Sequence, residues 1–215
     1  MRHSRGLFLS FEGTEGAGKS SNLQYVKEIL ESSGKTVLVT REPGGTDVGE
    51  RIREILLDPD LPAMHSDTEL LLMFASRAEH YQHKILPALN DGQWVLCDRF
   101  TDASYAYQGG GRGIDMQRIS ELETWVLEGC KPDKTFLFDL PVEIGLSRAK
   151  SRGAADRFEQ EAVLFFQRIR DCYLTRAAVE PMRFNVLDAS QPLEQVREQL
   201  RVSTSQLLQA TNTEK

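Results

Sequence analysis

The chain has 215 residues, 40% of them hydrophobic, which is enough to bury the core of a single domain, predicted to cover 1–215. Its formal net charge is −6 and it has no long basic run. This argues against polymeric nucleic acid as a partner, because a phosphate backbone needs a broad positive surface. No apolar stretch approaches membrane-spanning length, so we expect no membrane partner.

The first predicted elements are an apolar strand at 7–11 and a glycine-rich loop at 13–20. The loop fits the pattern G-x-x-x-x-G-K-[ST]. A helical pattern comes next, with Leu23, Val26 and Leu30 on one face. Strand, glycine loop and helix together form the setting in which this pattern binds phosphate. We therefore predict a nucleotide-binding loop made by Gly13, Thr14, Glu15, Gly16, Ala17, Gly18, Lys19, Ser20 and Ser21.

Each part of this loop has a physical role. Glycines let backbone N–H groups turn inward around an anion, and the helix start adds its positive dipole end. Lys19 is placed to reach the β- and γ-phosphates of a nucleotide, and the Ser20 hydroxyl is placed to hold Mg²⁺. The loop thus predicts a nucleotide phosphate chain and Mg²⁺ as ligands.

Four further β-like runs alternate with helical patterns, at 36–40, 94–97, 135–140 and 184–187. This alternation predicts an α/β protein with the P-loop NTPase three-layer fold, in which a five-stranded parallel sheet is flanked by helices. In such sheets ligands gather at the carboxyl ends of the strands. The polar residues that follow the strands are Glu12, Arg41, Glu42, Asp98, Arg99 and Asp188.

Helix signals mark the middle and the end of the chain. A capping box from Ser66 to Glu69 predicts a long helix that runs to about Leu86, with Pro87 marking its end. The run 108–113 is so rich in glycine that a loop is expected there. Two later helices are predicted from the apolar positions Ile119, Leu122 and Val126 and the apolar positions Leu193, Val196 and Leu200.

The pair Asp98-Arg99 directly follows a buried strand of the predicted sheet. A carboxylate there can lie near Mg²⁺ or the phosphates, and an arginine can clamp a phosphate with two parallel hydrogen bonds. A simple ion pair at the strand end is the plainer alternative. We predict Ser20 and Asp98 as the metal ligands.

A second basic group lies in a predicted lid segment at about 142–160, which also contains Gly153. Its members are Arg148, Lys150, Arg152 and Arg157. Charge runs of this kind are usually solvated faces. Phosphoryl transfer, however, needs cations that arrive as the γ-phosphate moves, and a basic lid broken by glycine is one way to deliver them.

With these motifs in place, the chain resembles the bacterial thymidylate kinases over nearly its whole length. The segments that carry the resemblance are 11–20, 41–46, 98–100, 106–113 and 156–159, which read FEGTEGAGKS, REPGGT, DRF, AYQGGGRG and DRFE. The glycine loop alone marks a superfamily, whereas the whole set in this order is far more specific.

The resemblance implies phosphoryl transfer from ATP to dTMP, with Mg²⁺, in a cytosolic homodimer. It implies that Arg53 and Arg99 hold the dTMP phosphate and that Arg77 and Gln108 contact the thymine edge. The predicted substrate-binding residues are Glu42, Arg53, Met73, Phe74, Arg77, Arg99, Ser104, Tyr107 and Gln108.

The surroundings of the base are also implied by the resemblance. Ser104 would support base binding, and Tyr107 would crowd the 2′ position and disfavour ribonucleotides. Many relatives have a phenylalanine four residues before the base-reading arginine. Here Met73 holds that position and Phe74 is its neighbour, so the side chain that stacks on thymine stays open.

The source of the catalytic arginine distinguishes two branches of this family. In one branch the glycine loop supplies it, whereas here the loop carries Glu15 and Gly16. The chain is similar to the branch in which lid arginines act, although Lys150 replaces one of them and lacks the planar guanidinium fork. The predicted catalytic residues are Glu15, Lys19, Asp98, Arg99, Arg148, Arg152 and Arg157.

The cysteines and the N-terminal segment bear on the compartment. Cys97, Cys130 and Cys172 lack metal-type spacing, and such sparse cysteine use is typical of reduced thiols. The basic residues before Leu7 are followed by an apolar run too short for a signal peptide. We predict a cytoplasmic protein.

Two other functions remain open from the sequence. A P-loop kinase acting on a deoxynucleoside would accept a neutral hydroxyl and have less need for Arg53 and Arg99 as phosphate clamps. A nucleotide-responsive switch would bind ATP without an acceptor, and the 108–113 segment and the basic lid argue against it.

We predict that Arg152→Ala lowers kcat far more than it raises KM for dTMP. A finger arginine contributes on the order of 10³–10⁵ in rate, because it neutralises the phosphoryl group in transit. Steady-state kinetics with ATP and dTMP measure both constants. Equal losses in binding and turnover, or no loss, would move the role to Arg148 or Arg157.

Overall fold

Five parallel strands form the centre of the protein, in a computed structural model that describes residues 5–150, 156–159 and 161–213. The strands are β1 (Phe8–Glu12), β2 (Val37–Arg41), β3 (Trp94–Asp98), β4 (Lys134–Asp139) and β5 (Phe184–Asp188). Across the sheet they lie in the order β2-β3-β1-β4-β5, with every neighbouring pair parallel. The predicted α/β fold is confirmed, and each strand end lies within one residue of its predicted position.

Helices connect the strands and cover the sheet. They are α1 (Lys19–Ser32), α2 (Asp47–Leu57), α3 (Ser66–His80), α4 (Leu86–Asn90), α5 (Thr101–Ser104), α6 (Met116–Leu127), α7 (Val142–Lys150), α8 (Val163–Val179) and α9 (Leu193–Thr213). Two π-helical segments, Tyr81–Ile85 and Tyr105–Gly111, join some of them. None of the helices in the described part of the chain combines the length and apolar character needed to cross a bilayer.

The sheet separates two helical layers, with β1 at its centre and all five β1 residues buried. Successive side chains of a strand point to opposite faces. Leu9 and Phe11 therefore join a core cluster with α1 and α9, whereas Phe8 packs with Ile85 and Leu89 on the other side. This arrangement brings the carboxyl ends of the strands and the start of α1 to one edge of the sheet.

The long helix predicted from Ser66 begins there but is capped differently. His65 is the N-cap, and its Nδ1 accepts the Asp67 N–H at 3.2 Å, so the predicted capping box is wrong. Glu69 does not reach back to the helix start, because its buried carboxylate accepts hydrogen bonds from other elements.

Pro87 does not end this helical path, contrary to the prediction. α3 continues through the π-helical turn Tyr81–Ile85 into α4, which ends at Asn90. Pro87 lies in the first turn of α4. A proline is tolerated in a first turn because its missing N–H is not needed for the helix there.

Residues 108–111 of the glycine-rich run are helical rather than part of the predicted loop, whereas 112 and 113 lie outside the helix. The four helical residues belong to the π-helical segment Tyr105–Gly111. A Cβ on Gly110 would lie 2.8 Å from the Cβ of Cys172, and a Cβ on Gly111 would lie 2.5 Å from the ring of Phe165. The glycines thus allow α8 to pack directly against this segment. The sequence shows the glycines but not the helix that presses on them.

Candidate active site

A cavity opens at the carboxyl ends of β1, β2 and β3, and most of the predicted site residues line it. Those residues are Glu15, Gly16, Ala17, Gly18, Lys19, Ser20, Glu42, Arg53, Met73, Arg77, Asp98, Arg99, Ser104, Tyr107 and Gln108. The prediction gave no role to the remaining lining residues, which are Arg41, Pro43, Leu57, Phe100, Ala103, Asp156 and Phe158. Leu57 lies one helical turn after Arg53, so its spacing could have revealed it.

The glycine loop closes one end of the cavity. α1 begins at Lys19, directly after Gly18, whose backbone is left-handed with φ of 79°. The Lys19 ammonium donates to the carbonyl oxygens of Gly13 and Thr14, both at 3.1 Å. Burial, and then the nearby Arg99 charge, lower the pKa of Lys19. An anion bound here would relieve this desolvated cation.

The loop tip packs backbone to backbone against the first half of α7. A Cβ on Gly16 would lie 1.9 Å from the Gly145 carbonyl oxygen, and a Cβ on Gly145 would lie 2.5 Å from the Glu15 carbonyl oxygen. Only glycine fits at either position. The base of the predicted lid segment is therefore in direct contact with the phosphate-binding loop.

Ser20 and Asp98 lie together beside the loop. The Ser20 hydroxyl donates to Asp98 Oδ2 at 3.2 Å, so two hard oxygen ligands lie where α1 begins. Mg²⁺ prefers such ligands and usually completes its shell with water and phosphate oxygens. The described residues contain no group of three or more His, Cys, Asp or Glu side chains that could hold a metal alone. The pair therefore fits a Mg²⁺ that arrives with a nucleotide.

Arg99 connects the loop to the strand end. Its backbone is left-handed, with φ of 69°. Its guanidinium donates to the Gly13 carbonyl at 2.9 Å and to Glu15 Oε1 at 2.5 Å, and it lies 4.7 Å from the centre of the Tyr107 ring. The Tyr107 hydroxyl donates to the same Glu15 oxygen at 2.9 Å. Glu15, Arg99 and Tyr107 thus form one hydrogen-bonded group on the cavity wall.

Glu12 lies beneath this group and is fully buried. It accepts the Phe100 N–H and the Tyr173 hydroxyl, both at 2.7 Å. Burial, reinforced by the Asp102 carboxylate, raises the pKa of Glu12 from its ordinary value of 4.5 to about 8, although Arg99 acts against the rise. The sequence marked Glu12 as following a strand but gave it no role.

Arg77 lines another part of the cavity, and only 2% of its surface is exposed. Its guanidinium donates to Glu42 Oε2 at 2.7 Å, to the Ser104 hydroxyl at 3.0 Å and to the Phe100 carbonyl at 3.1 Å. Glu42 is held from its other oxygen by His80 Nδ1 at 3.0 Å. The guanidinium is therefore fixed in orientation before any ligand binds.

Met73 and Phe74 point in different directions from α3. Met73 lines the cavity, whereas Phe74 is absent from the described cavity wall and packs with Leu70 and Tyr105 in the core. The Arg77 guanidinium stacks 4.6 Å from the centre of the Phe74 ring. The geometry thus favours Met73 as the residue that faces a ligand, with Phe74 supporting the arginine behind it.

Arg53 stands near other cations at the cavity mouth. Its guanidinium donates to the Pro43 carbonyl at 2.8 Å. Burial, and then the Arg41 charge, lower the pKa of Arg53, while Arg99 adds to the same effect. Three arginines converge here, although Arg41 and Arg99 also pair with Glu50 and Glu15. Such a concentration of positive charge favours a bound anion.

The predicted lid arginines do not all reach this cavity. Arg148 donates to the Ala189 carbonyl at 2.9 Å, and Arg157 donates to the Leu56 carbonyl at 2.9 Å and pairs with Glu69 at 2.8 Å. Neither belongs to the described cavity wall. Arg152 lies outside the described residues. The catalytic roles given to these three residues stay predictions.

Comparisons with known proteins agree on one family. A family model described as thymidylate kinase matches residues 11–200. The chain is 60% identical over 195 residues to thymidylate kinase of Alcanivorax borkumensis, covering 91% of this chain and 94% of that one. It is 57% identical over 204 residues to thymidylate kinase of Pseudomonas savastanoi pv. phaseolicola, covering 95% and 97%. A crystal structure of thymidylate kinase from Ehrlichia chaffeensis superimposes with a TM-score of 0.71 at 33% identity, covering 85% and 93%.

The raised pKa of Glu12 predicts a specific pH dependence of stability. Between pH 4.5 and about pH 8, the folded state holds a proton on Glu12 that the unfolded state has lost. The stability that Glu12 contributes is therefore complete below its unfolded pKa and is lost as the pH rises toward its folded pKa. The amide of Glu12→Gln does not titrate. As the pH rises across this window, we therefore expect the free energy of unfolding of the native protein to fall relative to that of Glu12→Gln.

Urea denaturation at several pH values between about pH 5 and about pH 8 measures this difference. Glu198→Gln is the control, because Glu198 is exposed and its pKa is lowered by its hydrogen bond to Arg201. The difference in free energy of unfolding between Glu198→Gln and the native protein should not change with pH in the same window. If the difference for Glu12→Gln does not change with pH either, the raised pKa of Glu12 is contradicted.

Proposed function

The chain belongs to the thymidylate kinase family, whose reaction is the phosphorylation of dTMP by ATP, and we propose that the cavity described above is where this chain performs it. The observation that supports this placement is the presence of two cationic regions in one cavity. One is the glycine loop with Lys19, and the other is formed by Arg53 and Arg99. Two anionic substrates can meet between them.

In the proposed arrangement the triphosphate of ATP lies along the glycine loop. Lys19 exchanges its contacts with the Gly13 and Thr14 carbonyls for phosphate oxygens, and the start of α1 adds its dipole. Ser20 and Asp98, whose side-chain oxygens lie 3.2 Å apart, would hold Mg²⁺. When bound, the ion supplies positive charge that stabilises the phosphate oxygens.

The acceptor phosphate of dTMP lies opposite, against Arg53 and Arg99. An oxygen of this phosphate attacks the γ-phosphorus of ATP, and the bond to the β-phosphate oxygen breaks to leave ADP. The attacking phosphate is already an anion, so no general base is required. The protein's work is to align two repelling anions and to neutralise the transferred group.

The thymine base occupies the end of the cavity at Arg77 and Gln108. Arg77 presents a donor for the O4 carbonyl oxygen of thymine, and Met73 lies against the base. Ser104 acts by holding Arg77 in place. Tyr107, fixed by Glu15, stands where a ribose 2′-hydroxyl would come. Glu42 acts from behind Arg77 as its buried counter-charge.

The lid arginines are proposed to supply the remaining positive charge at the transferred phosphoryl group. Arg148, Arg152 and Arg157 are the candidates. Arg148 and Arg157 donate to the carbonyl oxygens of Ala189 and Leu56, both at 2.9 Å, and both carbonyls lie outside the cavity wall. Lid closure that brings either of them inward would have to exchange those bonds for phosphate contacts.

We also propose a cytoplasmic homodimer. α3 and α6 pack together and leave large apolar side chains on their outer surface, with Leu71 57% exposed and Trp125 79% exposed. Exposed apolar side chains that cluster in this way mark association surfaces. A second copy of the chain is the proposed occupant.

The experiment that tests the function is a coupled assay of ADP release with ATP, Mg²⁺ and each of dTMP, dUMP, dCMP, dGMP and dAMP. We expect dTMP to be the best acceptor. Turnover of dUMP should also be measurable, because Arg77 and Gln108 do not contact the 5-methyl group and a methyl pocket discriminates by only about 10–200-fold. ADP release that ignores the acceptor would contradict a kinase, and complete inertness of dUMP would contradict this account of the base site.

We predict that Arg53→Met raises KM for dTMP and lowers kcat/KM by about 10- to 100-fold, because a charge-assisted hydrogen bond to phosphate is lost. KM for ATP should change little. Arg51→Met is the matched control on the same helix, since Arg51 is exposed and pairs with Glu54. Equal effects of the two variants would remove Arg53 from the site.

A further inference from the structure

Glu69 is a buried carboxylate that receives donors from three separate parts of the fold. It lies in α3 with none of its surface exposed. Its Oε1 accepts Gln108 Nε2 at 2.9 Å, and its Oε2 lies 3.2 Å from Arg112 Nη2 and 2.8 Å from Arg157 Nη2. The two guanidinium groups balance its charge.

The contact with Gln108 fixes which end of that amide is available to a ligand. A carboxylate oxygen only accepts hydrogen bonds, so the amide nitrogen of Gln108 must face it. The carbonyl oxygen of Gln108 is then directed away from Glu69. Because Gln108 lines the same cavity as Arg77, this oxygen is the group that Gln108 offers to a ligand there.

We propose that Glu69 is a positioning residue that sets the pyrimidine preference of the site by holding the Gln108 amide in one orientation. The inference rests on the proposed placement of the base. With the amide held this way, the cavity presents both an acceptor from Gln108 and a donor from Arg77. Thymine matches this pair, with a donor at N3 and an acceptor at O4. Cytosine carries the reverse pattern, an acceptor at N3 and a donor at N4.

The variant Glu69→Gln tests this orientation with little change in shape. The amide oxygen of the new side chain is drawn to the Arg112 and Arg157 guanidinium groups, which leaves its NH₂ opposite Gln108. Gln108 must then turn its own oxygen toward that NH₂. Its NH₂ would face the cavity and meet the N3–H of thymine donor to donor, whereas cytosine N3 would accept from it.

The measurement is the ratio of kcat/KM for dTMP to kcat/KM for 5-methyl-dCMP. These two acceptors share the methyl group and differ only in the hydrogen-bonding edge. In Glu69→Gln we expect the ratio to fall by about 10- to 100-fold, because one hydrogen bond is reversed. The fall should come mainly from KM, since the phosphate contacts are unchanged. If Glu69 had a merely structural role, the variant would lower kcat/KM for both acceptors equally and leave their ratio unchanged.

Glu161→Gln is the matched control. Glu161 also pairs with Arg112, but its carboxylate has no contact with Gln108 among the described bonds. This variant removes a negative charge from the same arginine and leaves the Gln108 amide in place. Its acceptor ratio should equal that of the native protein, and a fall as large as in Glu69→Gln would overturn the proposal.

Gln108→Leu separates failure of this inference from failure of the base placement. If Gln108→Leu lowers the ratio and Glu69→Gln does not, Gln108 reads the base without help from Glu69 and the inference is overturned. If neither lowers it, the placement of the base at Gln108 is wrong as well. Circular dichroism checks folding. If Glu69→Gln does not fold, Glu69→Asp replaces it, because the shorter side chain keeps the charge but moves it away from Gln108. An unchanged ratio of kcat/KM for the two acceptors in Glu69→Asp overturns the inference.

Discussion

The site depends on a single guanidinium group, that of Arg99, which joins the phosphate-binding loop to the end of β3. It donates to the Gly13 carbonyl and to Glu15, while its backbone N–H donates to the Phe11 carbonyl at 3.0 Å. Its left-handed backbone turns the side chain into the cavity, and the next N–H, of Phe100, is held by buried Glu12. The position of the loop and that of the Arg99 guanidinium are therefore set by the same contacts.

Buried carboxylates support this arrangement from behind. Glu42, Glu69 and Asp102 are each buried, and each pairs with at least one arginine. The shortest of these contacts are 2.7, 2.8 and 2.6 Å, respectively. Buried ion pairs add little net stability, but removing one partner is costly because it leaves an uncompensated charge. Their effect here is to fix the orientations of the side chains that they contact. Arg77, paired with Glu42, and the Gln108 amide, held by Glu69, line the cavity in orientations fixed before a ligand arrives.

The sequence predicted the parts of this protein that follow local rules. The five strands, the glycine loop and the cluster of polar residues at the strand ends follow from alternation and motif context alone. What it could not predict depends on contacts between distant segments. Gly110 lies in a helical segment against which α8 packs, and Phe74 faces the core while Met73 faces the cavity. Periodicity gives the spacing of side chains but not the partner that each one meets.

The contact between Gly16 and Gly145 limits how this protein can change over evolutionary time. Most close contacts in a core can absorb an enlarged side chain when the neighbour becomes smaller. Here the obstructing atoms are the backbone carbonyl oxygens of Gly145 and Glu15, which no substitution removes. A larger residue at one position has no compensating replacement at the other. Gly16 and Gly145 are therefore constrained independently. A substitution at either position cannot be compensated by a second substitution across the contact.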